Sequence, residues 1–343
     1  MNLRGAARAV GAAGLAAAAV RYAAARASTE RQWLHRGEQW LGDIGEVDTV
    51  TILPLVERIP ARPGLRGEPG VSYLVTAGTT RLLFDTGLNL AGSEEPALVA
   101  NAAALGADLS ALDAVVISHL HPDHVGGVRQ QLRRTFAFAA APLEPRGIPA
   151  FVPAAMSHDR AEVVLIDAPR VIGPGIAVLP PLRQALFWLG PVAEQGLIIS
   201  VRGFGLVLLT GCGHPPIERT LAVAEEVLST PVRAVVGGLH LPVHPLGTAL
   251  LPQAVLGSPH PPWRLVSERD AEAVMAAIAA RGPRLVALSG HDSTPWAFRE
   301  FGRRFGSAYR LVRAGEELRI SAAGAGAAGA GTAGAGTAGA GTG

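Results

Sequence analysis

Ser118-His119-Leu120-His121-Pro122-Asp123-His124-Val125-Gly126-Gly127 follows directly on the apolar run Leu112-Asp113-Ala114-Val115-Val116-Ile117. The run is short and apolar enough to be a buried strand, and it delivers four potential metal ligands to one loop. In an extended segment, residues two apart point the same way. His119 and His121 can therefore close on one cation, while Asp123 and His124, beyond the proline turn, face a second. Imidazole nitrogen and carboxylate oxygen suit zinc, in one or two ions, and manganese or iron(II) can use the same donors. Gly126 and Gly127 let the next helix start close under the loop, with helical character over residues 128–132.

Outward from this loop, strand-like and helix-like segments alternate. Strands are expected at residues 47–56, 71–75, 81–84, 161–166, 175–179, 197–201, 205–209, 232–236 and 285–288, with a final strand at 309–320. Gly78-Thr79-Thr80 reads as a hairpin turn. Helical patterns cover residues 217–228, 268–280 and 295–305. Three further histidines stand next to such elements. His214 follows an apolar strand and precedes a helix, His291 follows the strand at 285–288, and His240 lies after Val236-Gly237-Gly238. His158, His244 and His260 occupy loop-like segments with no ligand spacing and read as solvated.

Composition removes several chemistries. The chain has 343 residues, 49% hydrophobic and 17% charged, which suits a globular core and not a disordered chain. All 30 basic residues are arginine. Without lysine there is no Schiff-base lysine, no P-loop lysine and no kinase-type lysine. The net charge is only +2 and aromatic content 5%, so no nucleic-acid partner is expected. Cys212 is the single cysteine and excludes disulfide and CxxC readings.

The ends differ from the middle. Residues 1–28 are alanine-rich, with Arg4 and Arg8 before an apolar run at 9–20 that is too short to span a bilayer. They read either as a helical extension or as an export or anchoring segment. The localisation is accordingly cytoplasmic, or periplasmic or membrane-anchored if residues 1–28 direct export. Residues 321–343 form a Gly/Ala/Thr tract read as a disordered tail, which leaves 29–320 as the folded domain.

The loop from His119 to His124 resembles the H-x-H-x-D-H signature of the metallo-β-lactamase superfamily. Phe84-Asp85-Thr86-Gly87 is similar to its early F-D-T-G turn, in which the resemblance gives Asp85 a supporting role behind the metals. Glu194-Gln195-Gly196-Leu197, Gly211-Cys212-Gly213-His214-Pro215, Gly237-Gly238-Leu239-His240 and Ser289-Gly290-His291-Asp292 resemble the branch of dihydropterin-ribofuranosylaminobenzene phosphate synthase-like proteins. The resemblance covers about residues 47–320 and implies an α+β fold, a four-layer αββα sandwich with the site at one edge.

It also implies metal ligation by His119, His121, Asp123, His124, His214 and His291. Asp123 would be the catalytic residue, and Asp85, Glu194, Cys212 and His240 support the metals or touch substrate. Two positions depart from the superfamily pattern: Cys212 stands where a bridging aspartate is usual, and Glu194 where a histidine often stands. The expected activity is metal-dependent hydrolysis of an ester-like small molecule (phosphoester, lactone or thioester) by a metal-bound hydroxide. A pterin/ribosyl-phosphate synthase-type transferase and a non-catalytic metal-binding module are the alternatives. Arg264, beside Trp263, reads first as a solvated or stacked arginine, with a clamp for an anionic substrate as the alternative.

Overall fold

The computed structural model describes residues 3–137, 147–245 and 250–327. In chain order the elements begin with helix α1 (Leu3–Leu34), strands β1 (Thr49–Val56), β2 (Ser72–Ala77) and β3 (Thr80–Phe84), helix α2 (Ala97–Leu105) and strand β4 (Ala114–Val116). Two short helices, α3 (Pro122–Val125) and α4 (Val128–Arg133), lead to strands β5 (Pro149–Val152), β6 (Glu162–Leu165), β7 (Arg170–Gly173) and β8 (Ile176–Val178). Next come β9 (Leu182–Leu186), β10 (Gly190–Glu194), β11 (Leu197–Val201), β12 (Gly205–Thr210), α5 (Ile217–Leu228), β13 (Val232–Gly237), α6 (Leu251–Leu256) and α7 (Glu268–Ala279). The order ends with β14 (Leu285–Leu288), α8 (Pro295–Phe305), β15 (Tyr309–Leu311), β16 (Leu318–Ser321) and β17 (Gly324–Ala327).

The strands form two large sheets. One has the order β17-β16-β1-β2-β3-β4-β5-β6, the other β15-β14-β13-β12-β11-β8-β7, and β9 and β10 make a separate hairpin. Alternation in β1 puts Val50 and Ile52 at zero exposure. They meet Leu197, Ile199, Val207 and Leu209 of the second sheet in one apolar layer between the sheets. A second layer packs α5, α7 and α8 on the outer face of the β12-containing sheet, through Leu221, Val227, Met275, Ile278 and Phe301. A third packs α2 on the outer face of the first sheet, through Leu98 and Ala102 against Leu83 and Val115. Helix, sheet, sheet, helix is the αββα sandwich expected from the sequence.

The strands that carry the site end together. β12, β13 and β14 are parallel, with Thr210 in register with Gly237 and Gly237 with Leu288. β3 and β4 are parallel in the facing sheet, with Phe84 opposite Val116. The chain therefore leaves five strands at one edge of the sandwich.

One expectation needs correction. The strand expected at 309–320 is two strands in different sheets, β15 beside β14 and β16 beside β1. Between them the backbone turns at Gly315 (φ 84°), and Ala314 N–H donates to Ile59 O at 2.9 Å, which draws the chain from one sheet across to the other. β17 pairs with β16 through Ala327, inside the segment read as tail, while 328–343 lie outside the described residues. At the other end α1 runs unbroken across the expected boundary at 28/29 and packs on β9 and β10. Its Tyr22 ring lies 5.4 Å from that of Phe187, and Glu30 pairs with Arg219 at 2.6 Å. No helix among the described residues is long and apolar enough to cross a membrane.

Candidate metal centre

β4 ends at Val116, and Ser118 and His119 turn inward from it, both at zero exposure. Asp85, at the end of β3, anchors this turn from behind. Its carboxylate accepts from Ser118 N–H at 2.6 Å and from Ser118 Oγ at 2.6 Å, and lies 2.7 Å from His124 Nδ1. Asp85 takes φ 62°, a left-handed conformation that aspartate tolerates better than most residues.

These contacts select ring tautomers. The single proton of Ser118 Oγ goes to Asp85, so the hydroxyl accepts from His119 Nδ1–H at 3.0 Å, and His119 presents a bare Nε2. His124 donates Nδ1–H to Asp85 and presents Nε2. The same device recurs across the edge: Ser289 Oγ donates to Glu57 and stands 2.6 Å from His291 Nδ1, which leaves His291 Nε2 free to ligate. A histidine whose other nitrogen is held by a hydrogen bond is the usual form of a metal ligand.

Ligand atoms gather in two adjoining groups and a third that overlaps both. His119, His121 and His214 form the first, Asp123, His124, Cys212 and His291 the second, and Cys212, His214 and His240 the overlap, each with its atoms within 4.8 Å of one another. His121 Nδ1 is 3.1 Å from both His119 Nε2 and His214 Nε2. Nitrogens about 2.0–2.1 Å from a tetrahedral zinc stand about 3.3–3.4 Å apart, so the first group has the spacing of a metal site. Cys212 Sγ lies 3.1 Å from His124 Nε2 and 3.3 Å from His291 Nε2. It occupies the middle of the second group, so the donor set there is a thiol among imidazoles and a carboxylate.

Neighbouring carboxylates set the protonation of the two groups apart against a common effect of burial. Burial pushes His121 down to about 4 and holds His119 and His214 well below the ordinary histidine value, the neutral state that ligates metal. Burial also lowers His124, but the carboxylates of Asp123 and Asp85 outweigh it and hold that ring at about 9.

Glu194, at the end of β10, shapes the loop that carries Cys212 and His214. Its carboxylate accepts the backbone N–H groups of Gly211 (3.1 Å), Gly213 (2.8 Å) and His214 (2.9 Å). Glu194→Gln places an amide NH2 against one of these donors. We expect a loss of about 1–3 kcal/mol in urea unfolding, the cost of one buried N–H without a partner. Unchanged stability would show that the loop is held by other contacts.

Gly211 permits this approach, since a Cβ there would collide with Ser118 Oγ. The His240 ring is tilted 44° to that of His214 with centroids 4.8 Å apart, the residue takes φ 49°, and both ring nitrogens are buried without a close hydrogen-bond partner among the described residues.

Every candidate named from the sequence thus sits at this one edge. Reading the sequence missed Glu57, fully buried at the end of β1, where Tyr73 OH donates to it at 2.6 Å and Ser289 orients His291 through it. The only signal was a carboxylate directly after an apolar strand. It also missed that Asp292 accepts His240 N–H at 2.9 Å and so fixes that turn. Of the loop histidines, His158 is half-buried against Phe136, ring centroids 4.4 Å apart, and His260 is half-buried beside Asp270 at 3.6 Å. Only His244 is exposed, bonded to Glu268 at 2.7 Å. Arg264 is tied to Asp270 at 3.1 Å and so is not a free clamp.

Residues 65–219 match the family model of the metallo-beta-lactamase superfamily. Among solved structures the chain is similar to Tm1679, a metal-dependent hydrolase of the beta-lactamase superfamily, at 22% identity and TM-score 0.56, covering 79% of this chain and 99% of that one. It is also similar to the metallo-beta-lactamase fold protein YhfI from Bacillus subtilis, at 13% identity and TM-score 0.50, covering 78% and 98%. No curated protein matches the chain.

Proposed function

Because the chain belongs to the metallo-β-lactamase superfamily, with its fold and a match over residues 65–219, we propose that it is a metal-dependent hydrolase of an ester-like small molecule, a phosphoester, lactone or thioester. The observation that carries this reading is the convergence of three buried neutral imidazoles, His119, His121 and His214, beside a second group containing Asp123.

His119, His121 and His214 would hold one zinc, and Asp123, His124, Cys212 and His291 a second. When bound, such a cation makes water a nucleophile near neutral pH and polarises the substrate's oxygen. The chain's own residues supply the rest. Asp123, whose side chain is 14% exposed and lies 3.7 Å from His124 Nε2, would orient water and accept its proton. Asp85, Ser118, Glu57 and Ser289 hold the imidazoles at fixed angles, so that little reorganisation accompanies reaction. His240, which lines the cleft beside His214, would bond a substrate oxygen.

Chelation is expected to abolish turnover of a lactone, thioester or phosphodiester probe, and added zinc or manganese to restore it. His214→Ala should lower bound metal by about one equivalent per chain. Full turnover by metal-free protein would overturn the proposal.

A further inference from the structure

Two clefts reach the centre, and they differ in charge. The one beside His214 and His240 holds about 410 Å³ and is lined by Arg26, Arg219 and Arg264, but also by Glu30, Glu218 and Asp270. Two of its arginines are already neutralised, Arg219 by Glu30 at 2.6 Å and Arg264 by Asp270 at 3.1 Å.

The other cleft, about 300 Å³, opens on His121 between α4 and the β9–β10 hairpin. Arg134 and Arg183 line it, and no carboxylate does among the described residues. Arg134 caps α4 in the left-handed conformation (φ 52°) and donates Nε–H to Ala155 O at 2.8 Å, which anchors the guanidinium, and its terminal nitrogens have no partner among the described residues. Arg183 makes no hydrogen bond or ion pair among the described residues, and its backbone is fixed opposite Ala193 in the hairpin. Gln131 donates to Leu120 O at 3.1 Å and ties the floor to the histidine loop. Leu120, Leu189 and Val192 complete an apolar wall.

Two unneutralised guanidinium groups beside an apolar wall match an oxyanion carried on an apolar body, because the planar fork bonds carboxylate and phosphoryl oxygens in pairs. We propose that this cleft is the substrate's oxyanion subsite: Arg134 and Arg183 grip a phosphoryl or carboxylate group and hold the substrate beside His121. The inference rests on the hydrolase reading for its biological meaning, but its test does not require turnover.

Calorimetry on the full chain, with metal content verified, would compare phenylphosphonate, phenylacetate and the neutral phenylacetamide. We expect the wild type to bind at least one anion about tenfold or more tighter than the amide, and the tighter anion identifies the group the cleft takes. Arg134→Gln and Arg183→Gln should each weaken that anion about tenfold and leave the amide within about twofold, while Arg183→Lys retains part of the affinity. Anion affinity within about twofold of wild type in the double Gln variant, as for an anion held by metal alone, would overturn the proposal. So would failure of the wild type to prefer either anion. Arginine-dependent binding without turnover of any ester would sink the hydrolase reading alone, and turnover with arginine-independent binding would sink the subsite alone.

Discussion

Asp85→Ala is expected to lower folding stability by about 3–5 kcal/mol and to weaken metal uptake about 10- to 100-fold, although Asp85 sits in neither ligand group. The carboxylate is fully buried and has three close partners, Ser118 N–H, Ser118 Oγ and His124 Nδ1. Alanine leaves the backbone donor and the imidazole donor inside the protein with nothing to accept them. It also leaves a positively charged His124 without one of the carboxylates that hold it at about 9. Once the Ser118 hydroxyl is free to rotate, the tautomer of His119 is no longer selected, and that is the route from a non-ligand to metal affinity. Asp85→Asn keeps a side chain that accepts the left-handed backbone and one of the two oxygens, so its loss should be smaller. Urea unfolding and metal titration of the three proteins check this. Wild-type stability and affinity in Asp85→Ala would mean that the rings are oriented by packing alone.

The position of Asp85 illustrates what could be read in advance. Its motif is contiguous, so it was visible at residues 84–87 before any fold was known. So were the histidine loop after β4, Cys212 with His214 after β12, and His291 after β14, because each is a short run of polar residues placed where an apolar strand stops. Chemistry made by long-range contact was not visible. Glu57 lies in an unpatterned turn, and its role exists only because Ser289, 232 residues away in the chain, donates to it. Cys212 could be placed but not interpreted, since its meaning depends on the His124 and His291 nitrogens on either side. The β9–β10 hairpin has no strong alternation, and its two neighbours in the chain, β8 and β11, pair with each other instead. The expected last strand failed for a different reason: local propensity favours a strand on both sides of Gly315, and long-range backbone bonds of Ala314 with Ile59 and Ala61 and of Gly315 with Pro54 carry the halves into different sheets.

The two ligand groups should also respond differently to acid, and this separates one metal from the other. Metal binds the deprotonated ligand, so affinity falls with decreasing pH only below the pKa of the ligand in the metal-free protein. In the first group burial lowers His121 to about 4 and keeps His119 and His214 well below the ordinary value, so no proton is displaced at neutral pH. Its affinity should be flat from pH 8 to 6. In the second group His124, held at about 9 against the effect of burial by Asp123 and Asp85, carries a proton throughout this range. Burial also raises the Cys212 thiol well above its ordinary value. A metal entering there must expel at least the His124 proton, and a second if the thiolate ligates. Each proton released costs about tenfold in affinity per pH unit, so the second site should weaken at least about 100-fold between pH 8 and 6, and about 10,000-fold with two protons. Equilibrium dialysis at fixed free zinc, with metal counted per chain, should therefore find about two equivalents at pH 8 and one at pH 6, and His124→Ala should abolish the difference. Both metals leaving together, or neither leaving, would show that the carboxylates do not hold His124 protonated and that the two sites are not distinct in charge.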